Sequence, residues 1–124
     1  MKKKILIIDD KNEFRTLLRF ILSKKYEVHS AENGVKALKL LNKGYSPDAI
    51  VSDLMMPGMD GKGLINQLKA HQEFYNIPVI VLSSIDKSAW KADLLELGAN
   101  DYLVKPFNPR ELEMRIENLF QKVA

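Results

Sequence analysis

The sequence predicts an α/β fold, a doubly wound, five-stranded parallel sheet with helices on both faces. Three observations predict it. Short apolar runs alternate five times with stretches in which apolar residues recur at helical spacing. The first, third and fourth of those runs are apolar throughout, as strands buried on both faces require. The length of 124 residues, 46% hydrophobic and 28% charged, suits one domain able to bury roughly two-thirds of the surface its unfolded chain exposes.

Ile5 to Ile8 read as the first strand, stopped by Asp9 and Asp10. Phe14, Leu17, Leu18, Ile21 and Leu22 follow at i, i+3, i+4, i+7 and i+8, which predicts a helix over about 12–25 with that stripe on the core. Tyr26 to Ala31 alternate weakly as a second strand. Asn33-Gly34 opens a helix carrying Val35, Leu38 and Leu41 that stops near Gly44, and Pro47 marks the next loop. Asp48 to Ser52 form the third strand, which ends at Asp53. The loop Leu54-Met55-Met56-Pro57-Gly58-Met59-Asp60-Gly61 leads into a helix marked by Leu64, Ile65 and Leu68. Pro78 precedes the fourth strand, Val79 to Leu82, which ends in Ser83 and Ser84. A helix over about 87–97 closes on Gly98, a C-cap signal. Tyr102 to Val104 make a short fifth strand ending at Lys105-Pro106, and Leu112, Ile116, Leu119 and Phe120 mark the last helix.

Composition excludes several classes. There is no cysteine, so neither a disulfide nor a cysteine-zinc site is available. The apolar runs fall far short of the roughly 18 residues of a membrane span, and the run after Lys2, Lys3 and Lys4 is too short for a signal-peptide core. A cytoplasmic protein is expected. The net charge of +3 is uneven: residues 1–46 hold 11 basic and 5 acidic side chains, while residues 47–124 hold 8 and 11. No helix interleaves basic and aromatic residues in the way that grips a phosphate backbone, so no direct nucleic-acid partner is expected.

In an open parallel sheet, ligands bind beyond the carboxyl ends of the strands. The residues there are Asp9, Asp10, Asp53, Ser83, Ser84 and Lys105. Clustered carboxylates repel, and a small hard cation such as Mg²⁺, held by a few carboxylates, a carbonyl and waters, resolves the repulsion. Lys105 and the Ser83 hydroxyl are donors suited to an anion beside that cation, and the set as a whole describes phosphoryl transfer. A carboxylate at Asp53 can attack phosphorus and become an acyl phosphate. Taken singly, each residue has an ordinary explanation: Asp9 or Asp10 as a helix cap, Ser83 as a strand-end hydroxyl, Lys105 as a solvated charge. Their convergence at one end of one sheet is what favours a site. His29 and His71 have no ligand partner at metal spacing, and Met55, Met56 and Met59 read as loop packing.

Asp9-Asp10 after an apolar strand, Asp53 with its Met-Pro-Gly loop, Ser83-Ser84, and Gly98 to Phe107 with Lys105-Pro106 together resemble the receiver domain of bacterial two-component response regulators. The spacings of 43 residues from Asp10 to Asp53 and 22 from Ser83 to Lys105 match that family. The resemblance covers residues 1–124 as one receiver domain with no effector domain, and implies a flavodoxin-like sheet of order 2-1-3-4-5. It implies that Asp53 is phosphorylated by a histidine kinase or histidine phosphotransfer protein. Asp10, Asp53 and the Met55 carbonyl would bind Mg²⁺ (or Mn²⁺), with Asp9 acting through water. Lys105 would pair with a phosphoryl oxygen, and the peptide to Pro106 would be cis. Ser83 and Tyr102 would form the switch, the hydroxyl swinging toward the phosphoryl group and Tyr102 filling the space it leaves.

The surface of the fourth helix, fifth strand and last helix would then act on a downstream protein or a missing effector. Lys91, Asp101, Glu111 and Arg115 mark a candidate dimer face there. Met55 and Ile85, two positions after Asp53 and Ser83, are apolar where fast-dephosphorylating relatives carry polar groups, which predicts a long-lived acyl phosphate. Apart from self-phosphorylation and slow self-dephosphorylation, no enzyme activity is expected. The competing reading, a haloacid-dehalogenase-type phosphatase, needs an aspartate general acid where Met55 stands. A flavin or nucleotide site on the loop after the first strand would be repelled by Asp9 and Asp10.

Overall fold

The computed structural model describes residues 2–123. Strand and helix alternate through β1 (Lys4–Ile8), α1 (Asn12–Leu22), β2 (Glu27–Ala31), α2 (Gly34–Asn42), β3 (Ala49–Asp53), α3 (Gly61–Lys69), β4 (Val79–Ser83), α4 (Ser88–Leu97), β5 (Asp101–Val104) and α5 (Pro109–Val123). All neighbouring strands pair parallel in the order β2-β1-β3-β4-β5. The chain winds from β1 outward to β2, then crosses back past β1 to β3. The winding therefore reverses between β1 and β3, the strands that end in the aspartates.

The three inner strands are the three continuous apolar runs, since each is covered on both faces. Leu6, Ile8, Ile50, Val79 and Val81 pack with α2, α3 and α4, whereas Ile5, Ile7, Ala49, Val51, Ile80 and Leu82 pack with α1 and α5. The side-chain period of two sends alternate residues to the two layers. Each of these Leu, Ile and Val side chains contributes roughly 1.5–3 kcal/mol by leaving water.

The helices sharpen the periodicity reading. In α1, Leu18, Ile21 and Leu22 are buried, but Leu17 is 47% exposed, and the helix ends at Leu22 so that Tyr26 can turn into the core. At 100° per residue Leu17 lies a quarter-turn from Leu18, on the flank rather than the sheet-facing centre. In α2 the buried positions are Gly34, Ala37 and Leu41, with Val35 exposed. Asn33 caps α2 by accepting from the Lys36 N–H at 2.8 Å, and Asp60 caps α3 by accepting from the Gly63 N–H at 2.8 Å. α4 is the least anchored of these helices: it buries only Leu94, has no side-chain N-cap, and ends on Gly98 at φ 122°. Trp90 on its surface is exposed. No helix of the described residues is long and apolar enough to cross a membrane.

Candidate functional site

The carboxyl ends of β1 and β3 bring Asp9, Asp10 and Asp53 together, with one oxygen of each within 4.8 Å of the others. Among the described residues this is the only cluster of three or more metal-ligating side chains. Asp9 is buried, one oxygen accepting from the Lys11 N–H at 2.9 Å. Its other oxygen, and one oxygen of Asp10, are buried without a hydrogen-bond partner. Asp10 is the most open of the three.

Asp53 is the last residue of β3 and is also buried. Its Oδ1 accepts from the Leu54 N–H at 3.0 Å and from the Lys105 ammonium at 3.2 Å. The same ammonium lies 3.5 Å from Asp9 Oδ2. Burial pushes the Asp53 carboxyl up from its ordinary value; the Lys105 charge opposes this and the Asp9 charge adds to it. Lys105 reaches the carboxylates because its backbone N–H is fixed to the Ser83 carbonyl at 2.7 Å. The Lys105–Pro106 peptide is cis. The ammonium also sits 4.0 Å from the centroid of the Phe14 ring, whose edge contact with Phe107 has a centroid distance of 6.2 Å. Helical spacing marks Phe14 only as a core residue; nothing in the sequence signals that it supports Lys105.

Ser83 and Tyr102 both attach to the backbone of Ile85. Ser83 Oγ accepts from the Ile85 N–H at 3.0 Å, and the Tyr102 hydroxyl donates to the Ile85 carbonyl at 2.6 Å. Both side chains are buried, so in this conformation the Tyr102 ring already lies inside. Ile85 matters here through its peptide groups, which a sequence pattern cannot display. Gly61 is a second feature hidden in the sequence. A Cβ there would stand 2.8 Å from the Asp53 carbonyl oxygen and 3.0 Å from Leu54 Cα, and the Gly61 N–H donates to the Leu54 carbonyl at 2.7 Å. Met55, two residues after Asp53, has an exposed side chain.

Away from this end of the sheet, Arg115 ties Asp101 (2.7 Å) and Glu111 (3.4 Å) into one network. Lys91, on α4, joins no ion pair among the described residues. Three members of the candidate dimer face are therefore satisfied within the chain. His29 packs against Tyr45 with the rings tilted by 51°, and His71 stacks on Phe74, each apart from the acidic cluster.

The model of the response regulator receiver domain matches residues 5–117. The probable transcriptional regulator ycf27 of Porphyridium aerugineum is 41% identical over 123 residues, covering 98% of this chain and 50% of that protein. The sensor histidine kinase TmoS of Ectopseudomonas mendocina is 39% identical over 122 residues, 98% of this chain and 12% of the kinase. The chain thus spans about half the length of the ycf27 regulator and a small part of the kinase. Among solved structures, the receiver domain of the Francisella response regulator 1452 superposes with a TM-score of 0.90 at 33% identity, covering 98% of this chain and 99% of that one. The chemotaxis protein CheY4 of Vibrio cholerae superposes with a TM-score of 0.88 at 29% identity, covering 95% and 98%. With sequence relatives and solved structures agreeing over nearly the whole chain, a five-stranded sheet whose acidic cluster lies where its winding reverses belongs to the response regulator receiver family, a family of signalling domains.

Proposed function

We propose that Asp53 accepts a phosphoryl group from a phosphohistidine of a sensor kinase or histidine phosphotransfer protein in the cytoplasm. The observation that carries this reading is the pairing of a buried carboxylate at the end of an inner strand with a lysine ammonium 3.2 Å away. In the transfer, an Asp53 oxygen forms a bond to phosphorus as the bond from phosphorus to the donor imidazole nitrogen breaks, the electron pair returning to the ring. The Lys105 ammonium is held where it can neutralise a phosphoryl oxygen, and its charge favours the ionised form of Asp53 against the effect of burial.

The orphaned oxygens of Asp9 and Asp10 fit a divalent cation, because a buried carboxylate oxygen without a partner carries a desolvation cost that a cation removes. Asp10, Asp53 and the Met55 carbonyl would hold Mg²⁺ or Mn²⁺, with Asp9 acting through water. When bound, the ion supplies charge neutralisation for the transferring oxygens.

Ser83 Oγ accepts from Ile85, so its own proton remains free to donate to a phosphoryl oxygen. A shift of Ser83 pulls on the same residue whose carbonyl holds Tyr102. That shared attachment carries the signal to α4 and β5, where a downstream protein, or an effector in a longer chain, reads it. The exposed Trp90 and Leu95 of α4 and Met114 of α5 give that surface apolar character. Incubation with acetyl phosphate and Mg²⁺ is expected to add one phosphoryl group by mass. Asp53→Ala should abolish the addition; an unchanged mass in the parent protein, or full phosphorylation of the variant, would refute the reading.

A further inference from the structure

A groove separate from the acidic cluster runs along the end of β2 between α1 and α2, with a volume of about 430 Å³. Arg15, Lys36, Lys39 and Lys43 line it, against one carboxylate, Glu32, which Lys36 already engages. The ammonium groups of Lys39 and Lys43 have no hydrogen-bond or ion-pair partner among the described residues. Lys39 on α2 and Lys43 at its C-cap stand at i and i+4, with Lys36 one turn before Lys39, so like charges share one side of the helix at a cost that an anion would relieve. The Arg15 guanidinium is held in place by bonds to the Asp9 carbonyl (2.6 Å) and the Asn12 side chain (3.3 Å). Ser30 Oγ accepts from Arg19 at 2.8 Å, and Arg19 is itself fixed to the Val28 carbonyl at 2.9 Å. The Ser30 proton is therefore free to donate into the groove. Ala31 and the half-buried Leu40 supply an apolar wall.

We propose that this groove binds a nucleotide, its phosphates on Lys39, Lys43 and Ser30 and its base against Leu40 and the Arg15 plane. The volume falls in the range of roughly 300–1,000 Å³ usual for small-molecule sites. Convergent cations beside an apolar wall select a multiply charged anion with a flat, less polar body. Arg15 of α1, the end of β2 and α2 line the site, and none of the carboxylates of Asp9, Asp10 and Asp53 is part of that lining.

The test is isothermal titration calorimetry with ATP in EDTA, which prevents any divalent ion from bridging the nucleotide to the acidic cluster. ATP should bind, and Lys39→Glu with Lys43→Glu should weaken binding at least tenfold. The charge-matched control pair Lys62→Glu with Lys87→Glu, exposed on α3 and before α4, should leave it unchanged. Asp53→Ala should bind ATP as the parent does, which separates this site from the phosphoryl acceptor. Amide NMR shifts should centre on Ser30 and residues 36–43. Absence of binding, or equal loss in the control pair, overturns the proposal. Pyrophosphate binding as tightly as ATP would overturn the nucleotide assignment in favour of a bare phosphate site. A short RNA oligomer that outcompetes ATP at equal nucleotide concentration would overturn it in favour of nucleic acid.

Discussion

As the proposed phosphoryl acceptor, Asp53 would meet opposing requirements at a single carboxyl group, which would have to be ionised to attack phosphorus yet sits buried beside Asp9. Its native pKa is raised, so the folded chain holds the proton more tightly than the unfolded chain does. For such a group, stability falls as pH climbs from the unfolded carboxylate value of about 4 through the higher native value, and at pH 7 the ionised form is a net cost. Asp53→Asn should therefore raise the melting temperature at pH 7 in metal-free buffer, with the gain vanishing below about pH 4, where both states are protonated. Thermal unfolding followed by circular dichroism across that range measures it; a variant less stable at pH 7 would contradict the argument. Met55 poses a separate question two residues on. Its exposed side chain offers no hydrogen bond to orient an attacking water, so the acyl phosphate should persist for minutes or longer without a phosphatase. Met55→Asn should shorten the half-life severalfold, as read by loss of the phosphorylated mass after removal of acetyl phosphate. A parent half-life of seconds would defeat this account.

The elements show why some of the site was legible in the sequence and some was not. Asp9, Asp53, Ser83 and Lys105 could be located because each ends an apolar run, and in a parallel sheet all such ends share one edge. The inner strands were legible for the same reason: two covered faces demand uninterrupted apolar residues. Helix faces were less so, because Leu17 and Leu18 are equally apolar, and only the packing partner decides which of them is centred on the sheet. Contacts made by peptide groups left no pattern at all, as with Ile85 holding Ser83 and Tyr102, or Gly61 lying against the end of β3. Gly61 sets a constraint between two elements, since α3 starts where any side chain would strike the backbone of Asp53 and Leu54, and backbone cannot rotate out of the way as a flexible side chain can. Gly61→Ala should destabilise the fold by about 1–3 kcal/mol, the usual cost of overpacking. It should also slow phosphorylation by acetyl phosphate by displacing the Asp53 carboxylate. Urea unfolding and phosphorylation rates on one preparation test both effects; an unchanged midpoint and rate would mean α3 yields freely.

Across the whole molecule, positive and negative charge are sorted rather than mixed. Residues 1–46 carry the basic excess, yet the end of the sheet that receives β1 and β3 gathers three carboxylates against the single ammonium of Lys105. In isolation that arrangement works against the fold, because two buried carboxylate oxygens lack a hydrogen bond and only one of them, Asp9 Oδ2, has the Lys105 ammonium near it, at 3.5 Å. Any cation that binds only the native arrangement must then stabilise the entire domain by mass action. At a Mg²⁺ concentration ten times its dissociation constant, the gain is RT ln 11, about 1.4 kcal/mol. For a domain of 124 residues this corresponds to a rise of roughly 5 °C in melting temperature. Asp10→Asn removes the most open carboxylate while keeping its size, so the Mg²⁺-dependent rise should fall to a small fraction of the parent's while Na⁺ at matched ionic strength moves neither protein. Differential scanning calorimetry with and without Mg²⁺ decides the matter. An equal rise in the variant would mean that Mg²⁺ stabilises the domain through some other surface, and no rise in the parent would mean that the three carboxylates do not form a cation site.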